Sequence, residues 1–256
     1  MNFIFKKIPV STPTNNLKSI PLSSLRIFPA LILSILFLGS CTQSTEKKQP
    51  HDQNKPVRYL ALGDSYTIGE SVPEPERWPN QLADSLRVAG LFVEEVSIIA
   101  RTGWTTAELQ QGIEEEEPLS EYDLVSLLIG VNNQYRGYDL NIYRKEFKEL
   151  LQQAIGFARG NKEKVFVVSI PNYGVTPFGQ SRGEERIRQE LLIYDAIADS
   201  IASTFDIPFV NISPISEWAK DDPSLIAEDE LHPSGEMYSL WVKEMIPTVR
   251  EILSEQ

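Results

Sequence analysis

Five short runs rich in Val, Ile, Leu and Phe alternate with five longer helical patterns, and this alternation constrains the fold more than any other feature. The runs cover residues 58–62 (RYLAL), 92–100 (FVEEVSIIA), 124–129 (LVSLLI), 165–170 (VFVVSI) and 208–212 (PFVNI). Their length and β-branched content predict strands. The last four are apolar enough to predict strands covered on both faces. Helices are predicted near residues 77–89, 105–115, 140–159, 184–205 and 235–254. Thr105 with Glu108, and Ser181 with Glu184, have the spacing at which a hydroxyl and a carboxylate three residues later cap a helix start reciprocally. Strands and helices in strict alternation predict a parallel sheet between helical layers, because parallel neighbours need a long crossover. Ligands of such sheets bind beyond the carboxyl ends of the strands.

The first forty residues stand apart from this pattern. They hold Lys6, Lys7, Lys18 and Arg26 with no acidic residue, and end in the apolar run 27–38. A basic segment before an apolar run interrupted by Pro29 reads as an export signal, not a comfortable membrane span. Leu38-Gly39-Ser40-Cys41 then resembles the bacterial lipobox, in which small residues precede a cysteine that is acylated and becomes the mature N-terminus. Cys41 is the only cysteine, so no disulfide is available. Residues 42–56 (TQSTEKKQPHDQNKP) are polar and aperiodic. As a flexible tether they reach about 20 Å. The expectation is a signal peptide over 1–40, a lipidated Cys41 with its tether over 41–56, and one folded domain over 57–256. The domain is expected outside the cytoplasm, held to a bacterial membrane through its N-terminal lipid alone, and monomeric.

The whole chain carries a formal charge of −12, from 24 basic and 36 acidic residues. Removing the four basic residues of the leader makes the remainder more acidic still. Such a surface argues against nucleic acid and against adhesion to anionic lipid. The run Glu114 to Glu117 reads as a solvated helix end, and Asp221-Asp222 as a loop. With one histidine and no cysteine in the folded region, little is available to bind zinc. No metal or cofactor is expected.

Chemistry enters at Gly63-Asp64-Ser65, just past the first strand. A serine hydroxyl is a weak nucleophile near neutral pH and needs an adjacent base. His51 lies in the tether, which leaves His232, in Asp229-Glu230-Leu231-His232-Pro233. A carboxylate three residues upstream can fold back in a tight turn and accept the Nδ1 proton, turning Nε2 towards the serine. The same DxxH also reads as a turn cap beside a surface histidine. Acyl transfer further needs donors where the carbonyl oxygen becomes negative. Arg101-Thr102-Gly103-Trp104 and Gly130-Val131-Asn132-Asn133 follow the second and third strands. Gly103 admits a close backbone approach, and Asn132 brings a side-chain amide. Gly103 reads equally as a plain turn glycine and Asn132 as an Asx-turn residue.

Taken in order, Ser65 in Gly-Asp-Ser, Gly103, Asn132 in Gly-Val-Asn, and Asp229 with His232 resemble the SGNH (GDSL-type) hydrolase family over nearly all of residues 57–256. The resemblance implies a flavodoxin-like three-layer α/β/α sandwich with a mainly five-stranded parallel sheet. It implies Ser65 as nucleophile, His232 as base and Asp229 as its orienting acid. The Ser65 N–H, the Gly103 N–H and the Asn132 amide would form the oxyanion hole. The activity implied is carboxylic ester hydrolysis through an acyl-enzyme. One departure falls at Asn133, where the family commonly has Asp; it bears on local hydrogen bonds, not on the chemistry.

A rival serine lies in Gly179-Gln180-Ser181-Arg182-Gly183, which matches G-x-S-x-G with Asp229 and His232 following. An elbow serine must sit directly between strand and helix. Here PNYGVTPFGQ separates the fourth strand from Ser181, and Ser181 is better explained as a helix cap. Aromatic residues crowd the motifs: Tyr66, Trp104, Tyr135, Tyr138, Tyr173 and Phe178. They could stack on a sugar or line an acyl groove, though most are expected to serve packing. Without a long apolar lid, small or partly polar esters such as acylated sugars or lysophospholipids are expected over bulk triglyceride. A thioesterase of the same fold, or a non-catalytic surface binding module, remains open at this point.

Overall fold

The computed structural model describes residues 56–254. The expected signal peptide, Cys41 and all of the expected tether but Pro56 lie outside the described residues. The strands are β1 (Val57–Gly63), β2 (Val93–Ala100), β3 (Leu124–Leu128), β4 (Val165–Val168) and β5 (Phe209–Val210). They form one parallel sheet in the order β2-β1-β3-β4-β5. The helices are α1 (Ser65–Ile68), α2 (Trp78–Val88), α3 (Thr106–Glu116), α4 (Val131–Tyr135), α5 (Leu140–Phe157), α6 (Pro177–Gln180), α7 (Glu184–Thr204), α8 (Ser213–Ser216) and α9 (Gly235–Ser254). The expected three-layer α/β/α sandwich is what forms.

The sheet order carries a functional consequence. From β1 the chain steps outward to β2, then returns past β1 to β3 and runs on to β4 and β5. Right-handed crossovers taken in opposite directions place helices on opposite faces. α2 and α9 accordingly pack together, while α3, α5 and α7 pack in series. The reversal opens a crevice at the carboxyl ends of β1 and β3. Ser65 and Asn132 stand at the ends of these two strands.

Local sequence explains most of the elements. β1, β3 and β4 are buried along almost their entire length. β2 departs from expectation: it is an edge strand, with Glu94 and Glu95 exposed. Only one side of an edge strand has a neighbour, so solvent reaches what a central strand would bury. β5 departs likewise: at the opposite edge of the sheet, it is confined to Phe209–Val210, and Phe209 is only half-buried. Along α5 the buried residues Tyr143, Phe147, Leu150, Leu151 and Ala154 fall on one helical stripe. Phe147, Leu150 and Leu151 each contribute about 1.5–3 kcal/mol on burial.

Of the two expected capping boxes, one forms. Thr105 Oγ1 accepts from the Glu108 N–H, and Glu108 Oε2 accepts from the Thr105 N–H at 2.8 Å. The other does not. Gly183 is the N-cap of α7 with φ 97° and no side-chain cap, while the Ser181 hydroxyl donates to Phe178 O at 2.8 Å. The short α6 ends at Ser181, so its hydroxyl serves that helix end instead.

Candidate active site

The end of β1 is built for a tight turn. A Cβ on Gly63 would lie 2.1 Å from Thr67 Oγ1 and 2.6 Å from Leu128 O, so only glycine lets α1 fold back this close to β3. Asp64 caps α1, its Oδ1 accepting from the Tyr66 N–H at 3.1 Å. Its Oδ2 has no hydrogen-bond partner. Burial drives the Asp64 carboxyl up to about 7, despite the lowering effect of the nearby Tyr66, Asp64 and Gly130 N–H groups. Ser65 then opens α1, with 5% of its surface exposed.

The structure brings Asp229 and His232 together. Asp229 Oδ1 accepts from the backbone N–H groups of Leu231 (3.0 Å) and His232 (2.9 Å), which closes the turn. Oδ2 lies 2.5 Å from His232 Nδ1 and accepts the Ser71 hydroxyl at 2.6 Å. Burial pushes the Asp229 carboxyl upward, but the hydrogen bonds from Ser71, His232 and Leu231 outweigh it and hold the group at about 2. In the neutral imidazole, an ionised carboxylate at Nδ1 favours the tautomer with its proton on Nδ1 and Nε2 open to accept. Tyr66 presents its ring edge-on to the imidazole, with centroids 5.6 Å apart.

The two candidate donor segments are tied to each other. Gly103 has φ 86°, a left-handed conformation that favours glycine, and a Cβ there would still have room. Arg136 holds the loop by donating to Gly103 O at 2.7 Å. The Asn132 amide donates to Trp104 O at 3.0 Å. Asn133 is fully buried, accepts from the Thr106 N–H at 3.0 Å and donates to Thr106 Oγ1 at 2.7 Å. The Thr106 hydroxyl in turn donates to Glu146. With that proton committed to a carboxylate, residue 133 must supply a donor, which an amide does and a carboxylate does not.

Ser65, Gly103, Asn132 and His232 line one cleft of about 160 Å³, together with Tyr66, Val131, Tyr135, Tyr173, Phe178 and Leu231. Of the aromatics noted in the sequence, Tyr138 falls in a neighbouring groove. Trp104 packs on α3, where a Cβ on Gly112 would meet its ring at 2.1 Å. Ser181 is not among the residues lining the cleft. Glu70 and Ser71 escaped sequence reading. Thr102, beside Gly103, donates to Glu70, and the Glu70 N–H returns to Ser65 O at 3.0 Å. One short segment after α1 thus touches the serine, the Gly103 loop and the Asp229 carboxylate. No local motif marks it.

A parallel sheet wound both ways from β1, with a serine turn and a histidine–carboxylate pair at its carboxyl edge, defines the class: a three-layer α/β hydrolase. The model of the GDSL-like lipase/acylhydrolase family matches residues 61–240, and the chain belongs to that family of carboxylic ester hydrolases. The Bacillus subtilis (strain 168) protein YpmR is 23% identical over 248 residues, covering 89% of this chain and 97% of its own length. An arylesterase of Vibrio mimicus is 25% identical over 227 residues, covering 84% of this chain and 94% of the relative. Among solved structures, a catalytic mutant of Axe2, an acetylxylan esterase from Geobacillus stearothermophilus, shares the fold. Its TM-score is 0.56 at 19% identity, covering 75% of this chain and 94% of the other.

Proposed function

We propose that the chain hydrolyses carboxylic esters with a short acyl group through a covalent acyl-enzyme on Ser65. The observation that carries this reading is the ionised Asp229 on His232 Nδ1, in a cleft that His232 shares with Ser65. His232 Nε2 takes the Ser65 proton as Oγ bonds to the carbonyl carbon. The oxygen that becomes negative is met by the Ser65 and Gly103 N–H groups and the Asn132 amide. That amide spends one hydrogen on Trp104 O and keeps the second for the oxyanion. As the tetrahedral intermediate collapses, Nε2 returns the proton to the departing alcohol. Water then attacks the acyl-enzyme by the same route in reverse.

The size of the cleft supports a short acyl group. Cys41 is the proposed lipid anchor, which would leave the domain working outside the cytoplasm at a membrane surface. The test is hydrolysis of p-nitrophenyl esters of increasing chain length, together with labelling by a fluorophosphonate. Ser65→Ala is expected to abolish both turnover and labelling, and Ser181→Ala to retain them. Near-native turnover by Ser65→Ala, or a dead Ser181→Ala, would overturn the assignment.

A further inference from the structure

Beside the catalytic cleft runs a larger groove, of about 410 Å³, between the segment after α4 and the exposed face of α7. Tyr135 and Tyr173 line both spaces, so the two adjoin along a shared aromatic wall. Tyr135 is 51% exposed, and its ring lies 6.4 Å from Tyr173 and 6.2 Å from Phe178.

The groove has the opposite charge to the chain. Arg136, Arg182 and Arg186 line it against a single acidic residue, Glu190, in a protein of net charge −12. Arg136 is paired with Glu108 at 3.1 Å, and Arg186 with Glu190 at 3.2 Å. Glu190 is further occupied by the Gln134 amide at 2.5 Å. Arg182 differs. Its guanidinium carbon lies 3.6 Å from the centroid of the Phe178 ring. Its Nη1 donates to Phe178 O at 3.1 Å and to Ser181 Oγ at 3.3 Å. Among the described residues it forms no ion pair. Phe178 is itself a wall of the catalytic cleft. The stacking therefore orients an exposed, planar cation without an ion-pair partner beside the wall between cleft and groove. A guanidinium so held can meet a carboxylate or phosphate with two parallel hydrogen bonds, without first losing side-chain freedom.

We infer that this groove is the subsite for the alcohol part of the substrate, and that this part carries an anionic group received by Arg182. The inference rests on the ester-hydrolase reading of the neighbouring cleft. Division of the substrate follows from the linings: the small cleft walled by Val131, Phe178 and Leu231 suits a short acyl chain, and the larger cationic groove suits a charged, polar alcohol. Two sources share this chemistry, a uronic-acid sugar and a phosphorylated polyol.

Matched pairs of esters test it. Acetylated oligogalacturonide is compared with an acetylated neutral oligosaccharide, and monobutyrin 3-phosphate with monobutyrin. The anionic member of at least one pair is expected to have a kcat/KM about fivefold higher, the upper scale of one ion pair at an exposed side chain. Whichever pair shows the preference identifies the source. Arg182→Gln should erase that preference, whereas Arg250→Gln, far along α9, should leave it intact. A second readout does not need turnover: calorimetric binding of galacturonate oligomers and of glycerol 3-phosphate to the protein, expected for one of them and lost in Arg182→Gln. Hydrolysis with equal kcat/KM within both pairs overturns the subsite while leaving the hydrolase reading standing. Anion binding that depends on Arg182 without any hydrolysis upholds the subsite and overturns the hydrolase reading. Absence of both preference and binding overturns the subsite.

Discussion

Replacing Asp64 by asparagine is expected to change how stability responds to pH. The carboxyl is fully buried, one of its oxygens lacks a partner, and burial lifts it from an ordinary 3.8 to about 7. Between these values the unfolded chain releases a proton that the folded protein retains. Stability therefore falls as pH rises from about 4 to about 7, and the contribution is fully present only below the unfolded pKa. A span of roughly three pH units at about 1.36 kcal/mol each gives on the order of 4 kcal/mol. Asparagine cannot ionise, and its carbonyl oxygen can still accept from the Tyr66 N–H, so the cap of α1 survives. Asp195, also raised to about 7 chiefly by burial, titrates in both proteins and cancels in the difference. Urea unfolding at half-unit steps from pH 4 to 8 supplies the comparison. The stability of Asp64→Asn relative to the parent should climb across that window by an amount of this order. Two parallel curves would refute the reasoning, because they would mean that Asp64 releases its proton equally well folded and unfolded.

Ser71 is expected to act as a positioning residue for His232 through Asp229. Its left-handed backbone (φ 66°) costs a residue with a Cβ roughly 1–2 kcal/mol, and its hydroxyl bonds the oxygen that faces His232 Nδ1. Ser71→Ala should raise the Asp229 pKa and lower kcat/KM by about tenfold, the low end for a hydrogen bond to a charged group, because Ser71 is exposed. The acid limb of the pH–rate profile should move with it. An unchanged limb would reduce Ser71 to a structural role. Mass spectrometry of the mature chain from a bacterial host should find acylated Cys41 at its N-terminus. A bare Cys41, or a chain beginning beyond it, would leave the enzyme unanchored.

The legible parts of this molecule were those set by local chemistry at short range. The apolar runs of β3 and β4 announce burial, and Thr105 with Glu108 announces a helix start that forms as read. The DxxH turn was equally legible, because Asp229 and His232 need only three residues of chain to meet. Elsewhere the partner lay far along the chain. Ser181 and Glu184 have capping spacing, yet α6 intervenes and claims the serine hydroxyl. The exposure of Glu94 and Glu95 follows from the place of β2 at the sheet edge, which no window of its own residues contains. Ser71 reaches Asp229 across 158 residues, a bond invisible until the sheet has brought the two loops to one edge. Asn133 shows the limit most clearly. Measured against the family pattern it is an unexplained loss of a carboxylate. In the fold, Thr106 spends its hydroxyl proton on the half-buried Glu146, so position 133 has to donate, and the amide of the buried Asn133 does so.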